Sequence, residues 1–141
     1  MSGAFIRAVI VGDESSRALR EGIVARINKS VAEAKDITPA QDDISDEELA
    51  NVAAKAVLDD SRSAVLLFST SGNGIQMYAN KYGHVRAAPC FSIQMAKDAV
   101  LSHGANMCEI PSFYTLNDAE EIAREFITQV EAVYRESESN L

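Results

Sequence analysis

The residue types best suited to chemistry gather in three short segments where an apolar run gives way to small and polar side chains. Gly12-Asp13-Glu14-Ser15-Ser16 follows FIRAVIV, Ser69-Thr70-Ser71-Gly72-Asn73-Gly74 follows AVLLF, and Cys90-Phe91-Ser92 closes a third run. The second segment is the most informative. Its glycines, an asparagine that tolerates positive φ and its hydroxyl residues can aim several backbone N–H groups at one oxyanion or phosphate. The same residues also make a tight strand-to-helix turn in which glycine serves geometry alone, and spacing does not separate the two readings. The dinucleotide pattern G-x-G-x-x-G is missing after the first run, and the second segment lacks the Gly-Lys-Ser/Thr ending of a P-loop. Asp13 and Glu14 are adjacent carboxylates with no evident third ligand, so no metal site is read.

The elements that must position these loops follow from periodicity. Phe5 to Val11 reads as a buried strand, and Ser15 to Ile27 switches to helical period with Leu19, Ile23 and Ile27 on one stripe. A weak segment, Lys29 to Asp43, is expected to hold a short strand near Val31–Ile37 and then an exposed acidic connection. Ser45-Asp-Glu-Glu48 has the form of a capping box ahead of Leu49, Val52, Ala53, Ala56 and Val57. Ala64 to Phe68 and Val85 to Cys90 read as strands, Ser92 to His103 as a helix and Asn106 to Ile110 as a short strand. Asn117 with Glu120 is expected to cap a last helix that turns Ile122, Phe126, Val130 and Val133 inward. The tail from Arg135 reads as a solvated, frayed end. Strands alternating with helices imply βαβ units. The expected fold is a three-layer α/β/α sandwich on a parallel, five-stranded, Rossmann-like sheet, formed by residues 1–141 as a single domain.

Composition narrows the function classes. Of 141 residues, 47% are hydrophobic and 24% charged, and 13 basic against 21 acidic side chains leave a net charge of −8. Such a surface repels nucleic acid and anionic lipid. No apolar stretch approaches the roughly 18 residues of a membrane span, and no signal peptide is read at the start. Cys90 and Cys108 lack metal-ligand spacing and read as buried thiols in a reducing, cytoplasmic compartment.

Read together, SGNGIQMYANKYGHVRAAPC and FSIQMAKDAVLSHGANM resemble the family of ribose-5-phosphate isomerase B and galactose-6-phosphate isomerase. The features that carry the likeness are Gly72 and Gly74, Ala79-Asn80-Lys81, Val85-Arg86-Ala87, Ala105-Asn106 and the strand end Val11-Gly12-Asp13-Glu14, over roughly residues 5 to 110. The resemblance implies interconversion of an aldose and a ketose phosphate through an enediolate, with no metal or nucleotide cofactor. It assigns Ser71, Gly72, Asn73 and Gly74 to an oxyanion loop and Asp13 to sugar binding. It also implies active sites formed between two chains, hence a homodimer or larger oligomer, with a second family chain as a further partner.

Several family positions are altered. The proton-transferring base, a Cys at the start of the loop or a Glu just after it, is matched by Ser69 and Ile75. An unassisted serine hydroxyl is a very weak base at neutral pH, and isoleucine is none. The family's first-loop histidine is Glu14, which repels phosphate, and the C-terminal Gly-Arg-His-x-x-Arg clamp has no counterpart after Tyr134. The ring-opening histidine aligns with Ser102, one place before His103. A helix turns about 100° per residue, so His103 serves only if the register shifts; otherwise it is a basic residue favourable to the helix end before Gly104. His84 reads as a surface-loop histidine.

The expected candidates are therefore Ser69, Ser71 and His103 as catalytic residues, with Asp13, Glu14, Gly72, Asn73, Gly74, Cys90 and Asn106 contacting substrate. Cys90 and Glu14 also stand as substitute bases. Three functions remain open: a sugar-phosphate isomerase with rearranged residues, a non-catalytic subunit of a hetero-oligomeric isomerase, and a small-molecule binding module that kept the anion loop.

Overall fold

Strand residues point alternately to opposite faces of a sheet, and here both sets are apolar. Ala8, Ile10, Ala64, Leu66, Phe68, Cys108 and Ile110 join one buried cluster. Val9, Val11, Val65, Leu67 and Met107 join another on the opposite face. A sheet buried on both faces needs helices on both, and the computed structural model, which describes residues 6–139, supplies them.

The elements run β1 (Arg7–Gly12), α1 (Arg17–Ile27), β2 (Glu33–Asp36), α2 (Asp46–Asp59), β3 (Ser63–Ser69), α3 (Gly74–Ala79), β4 (Ala87–Pro89), α4 (Ile93–His103), β5 (Met107–Pro111) and α5 (Leu116–Ser139). All five strands are parallel, in the order β2-β1-β3-β5-β4. Helices α1, α4 and α5 pack on the first face, and α2 and α3 on the second. This is the expected three-layer arrangement. Among the described residues, no helix is long and apolar enough to cross a membrane.

Local rules account for the boundaries. Ser45 Oγ accepts from Glu48 N while Glu48 Oε1 accepts from Ser45 N, both at 3.1 Å, completing the expected capping box of α2. Ser92 Oγ accepts from Met95 N at 3.1 Å to start α4, and Gly104, at φ 65°, ends it in the left-handed region. The weakly patterned β2 is an edge strand with alternating exposure, carrying Lys35, so it needs little apolar signal.

Four expectations change. The segment around Val85 pairs only over β4, because Asn80 and Asn106 take over the hydrogen bonds on its entry side: Asn80 Oδ1 accepts from Ala87 N at 2.8 Å, and Asn106 Oδ1 from Arg86 N at 2.9 Å. Thr115, not Asn117, caps α5, its Oγ1 accepting from Asp118 N at 3.1 Å. Asn117 instead accepts from Arg26 at 2.7 Å. Val133 is 39% exposed, because α5 has run past the sheet it covers. The tail remains helical to Ser139 with Arg135 and Glu131 paired at 3.3 Å. Phe5 lies outside the described residues.

Helices α1 and α5 are clamped by Glu120, which accepts from Arg26 at 2.8 Å and from Arg124 at 2.7 Å. These partners hold its carboxyl below the usual glutamate value. A carboxylate lowered in the folded state stabilises above its unfolded pKa, and that stability is lost as pH falls through the folded value. The thermal midpoint of Glu120→Gln is expected below wild type at pH 7, with the gap closing below the unperturbed value of 4.5. A gap constant across that range would remove Glu120 from the acid response.

Candidate active site

From β1 the chain crosses to β2 on one side, and β3 pairs with β1 on the other, which opens a crevice at the carboxyl ends of β1 and β3. The loops after β1, β3 and β5 meet there. Asp13 N–H donates to Phe68 O at 3.0 Å, and Thr70 N–H to Asp13 Oδ2 at 2.9 Å. Ser15 Oγ donates to Asp13 Oδ1 at 2.6 Å and lies 2.7 Å from Ser112 Oγ. Asp13 therefore ties two loops together, and through Ser15 a third.

The Gly-rich loop directs most of its donors inward. Gly72 N–H is shared by Ser69 O and Oγ at 3.2 and 3.0 Å. Asn73 and Gly74 N–H both donate to Ser71 Oγ, at 3.1 and 3.2 Å. Ile75 and Gln76 N–H donate to Glu109, at 3.2 and 2.6 Å. Gly72 sits at φ 73° with Pro111 so close that any side chain would collide, so here glycine is demanded by conformation and by space. Ser71 is exposed, its Oγ accepts two N–H bonds and its proton finds no acceptor among the described residues.

Glu109 is the residue that sequence reading missed. It is fully buried, on the same face as Met107, and also accepts from the Ser69 hydroxyl. Burial raises its pKa, against the donors Ser69, Gln76 and Ile75, which lower it. An acid inside the run MCEIP was the available signal, since alternation places it with buried Met107. A second omission is Asp46, the first residue of α2. It lies against Gly74 and is half-buried, and burial followed by the Asp13 charge raises its pKa. Nothing in its local sequence distinguishes it from Glu47.

Beside the loop lies an open cleft of about 930 Å³ lined by Asp13, Glu14, Glu21, Asp36, Asp42 and Asp43. The two guanidinium groups in its wall are committed. Arg17 pairs with Glu14 at 2.8 Å, and buried Arg20 bonds Asp36, Thr38 Oγ1 at 3.0 Å and Ser16 Oγ at 2.8 Å. Arg17 holds the Glu14 carboxyl below its ordinary value.

The structure brings Asp13, Glu14, Ser69, Ser71, Gly72, Asn73 and Gly74 to this end of the sheet. It does not bring His103 or Asn106. Asn106 O accepts from Val65 N at 3.1 Å, near the start of β3, so α4 ends at the amino ends of the strands, opposite the crevice. Asn106 also spends its amide on Arg86 N and on His84 O, the latter at 3.0 Å. His103 is exposed as the last residue of α4. Cys90 is fully buried with free Cys108, its thiol 3.7 Å from Ala88 O. His84 is held 2.8 Å from Ala54 O. Among the described residues no group of His, Cys, Asp and Glu could hold a metal ion.

A doubly wound sheet with its polar loops at the switch point defines an open α/β protein with a ligand crevice. The sequence pattern of the Ribose/Galactose Isomerase family matches residues 8–139, and the chain belongs to that family. The fold is shared with ribose-5-phosphate isomerase B from Mycoplasma genitalium, solved with bound ribulose-5-phosphate: TM-score 0.79, 20% identity, 96% of this chain and 99% of that one. It is shared too with the Thermotoga maritima enzyme (TM-score 0.77, 20% identity, 93% and 96% covered) and that of Giardia lamblia (0.77, 22%, 87% and 94%). No curated protein sequence matches.

Removing Glu109 leaves a buried hydroxyl and two N–H groups without an acceptor. Glu109→Ala is expected to cost on the order of 3 kcal/mol in urea unfolding, with Glu109→Gln costing less because its amide oxygen still accepts. An unchanged midpoint for Glu109→Ala would mean the loop does not depend on it.

Proposed function

We propose that this chain is an aldose–ketose isomerase acting on a phosphorylated pentose or hexose through an enediolate. The observation that carries the reading is Ser71, exposed in the loop after β3, its Oγ accepting two N–H bonds and its own proton without an acceptor among the described residues. Two N–H groups donating to Ser71 Oγ polarise that O–H, which suits it to stabilise the oxygen that gains charge as a carbonyl becomes an enediolate. Asp13, anchored by Thr70, presents a carboxylate to sugar hydroxyls. Family membership supports the substrate class.

The ring-opening step needs a second acid/base group. His103 serves only if a second chain brings it, because its own α4 ends at the amino ends of the strands, opposite the crevice. The active form is thus a homodimer or larger assembly, or a pair with a different family chain, in the cytoplasm. A second reading, a non-catalytic subunit, is favoured by one specific observation: the loop N–H groups of Gly72 to Gln76 and both cleft guanidiniums already have partners within the chain.

The purified chain, offered ribose 5-phosphate, allose 6-phosphate and galactose 6-phosphate, is expected to turn over at least one. Ser71→Ala is expected to lower kcat about 10²-fold, as loss of one such donor does. No turnover by a folded protein would favour the subunit reading.

A further inference from the structure

The loop supplies an electrophile in Ser71, yet neither Ser69 nor Ile75 supplies a base. Ser69 is 2% exposed, and its hydroxyl already donates to Glu109 and accepts from Gly72 N–H. Glu109 is fully enclosed, with both oxygens occupied from inside. Cys90 is enclosed as well. Asp46 differs from all three: it reaches solvent, and its carboxylate has no hydrogen bond or ion pair among the described residues. A Cβ placed on Gly74 would collide with Asp46 Oδ2 and would lie 3.7 Å from Ser71 Oγ. The carboxylate and the exposed hydroxyl thus flank one glycine, and Ile44, two residues before Asp46, lines the cleft.

We propose that Asp46 is the base that moves the proton between the two carbons of the substrate, an assignment that rests on the isomerase reading above. Its carboxylate takes the proton from the carbon next to the carbonyl. The C–H electron pair becomes the C=C bond of the enediolate, and the carbonyl π pair moves to the oxygen that Ser71 hydrogen-bonds. Asp46 then returns its proton to the former carbonyl carbon while the hydroxyl proton passes between the two oxygens, so aldose and ketose differ only in where hydrogen sits. Gly74 leaves room for the carboxylate. The charged groups facing Asp46 are carboxylates, Asp13 from the loop after β1 and Glu109 from β5 under α3, while Glu47 and Glu48 on its own turn are exposed. Like charge and burial both favour the protonated form, moving the carboxyl toward the range useful to a base near neutral pH.

The test compares wild type, Asp46→Asn and Glu47→Gln on the same three sugar phosphates, following turnover, exchange of substrate C–H for solvent deuterium, and thermal midpoint. Expected are a fall of about 10²–10⁴-fold in kcat and in exchange for Asp46→Asn, wild-type activity for Glu47→Gln, and a midpoint for Asp46→Asn close to wild type. The acid limb of kcat/KM lies above the ordinary aspartate value in wild type and disappears in Asp46→Asn. Turnover by wild type that Asp46→Asn retains overturns the assignment and leaves the isomerase reading standing. Loss of activity equalled by loss of fold in Asp46→Asn, with Asp46→Glu restoring the fold but not the acid limb, also overturns it. A wild type inert towards all three overturns the isomerase reading and this assignment with it.

Discussion

A carboxylate without solvent contact, Glu109 of β5, lies under the start of α3, and the hydrogen bonding of residues 69–76 depends on it. Glu109 takes the Ser69 hydroxyl and two N–H groups at the start of α3. A buried ionisable group is costly unless each lone pair is used, so the loop and the acid specify one another. The acid requires donors, and those donors exist only when the chain turns at Gly72 and enters α3 directly. Ser71 is thereby fixed where its Oγ gathers the N–H groups of Asn73 and Gly74, and its own proton is left without an acceptor among the described residues.

This arrangement changes what a Gly-rich loop means. Free N–H groups at such a turn would bind an external anion; here the chain supplies its own acceptors from Asp13, Ser71 and Glu109. The loop's N–H groups are committed within the chain, and on the isomerase reading its donor to the substrate is the exposed Ser71 hydroxyl. Rigid placement of one polarised donor is how a preorganised site lowers a barrier without reorganising during reaction.

How much of this could be read from the sequence depended on whether one residue's neighbours determine its role. The apolar runs of β1, β3 and β5 and the capping box of α2 were legible, because burial on two faces and a local hydrogen-bond pair leave patterns within a few residues. β2 was faint because an edge strand has one partner and little to bury. The loops that hold Asp13 and Ser71 were legible, since loops at strand ends stand out by composition, and the structure sets both at the carboxyl ends of the strands. Glu109 broke an apolar run and so left a trace, but its partners lie 33 to 40 residues away and only the fold shows them. Asp46 left none. In sequence it complements a helix dipole like the acids that follow it, and only the approach of α3 to α2 sets it against Gly74.

Charge then fixes how a ligand can lie. Asp13, Glu14, Asp42 and Asp43 line the cleft on one side of the loop, and its guanidiniums are already neutralised. A phosphoryl dianion placed there would meet several carboxylates of like charge, with both guanidiniums already paired. Sugar hydroxyls incur no such cost and can donate to the same carboxylates. On the isomerase reading, a phosphorylated sugar would therefore turn its carbonyl end and hydroxyls to the loop and cleft, and its phosphate outward. The cation for that phosphate would then come from outside this cleft, whose guanidiniums are paired. On the isomerase reading, a second chain would have to supply both that cation and His103, the one demand electrostatic and the other topological, since α4 ends at the opposite end of the strands.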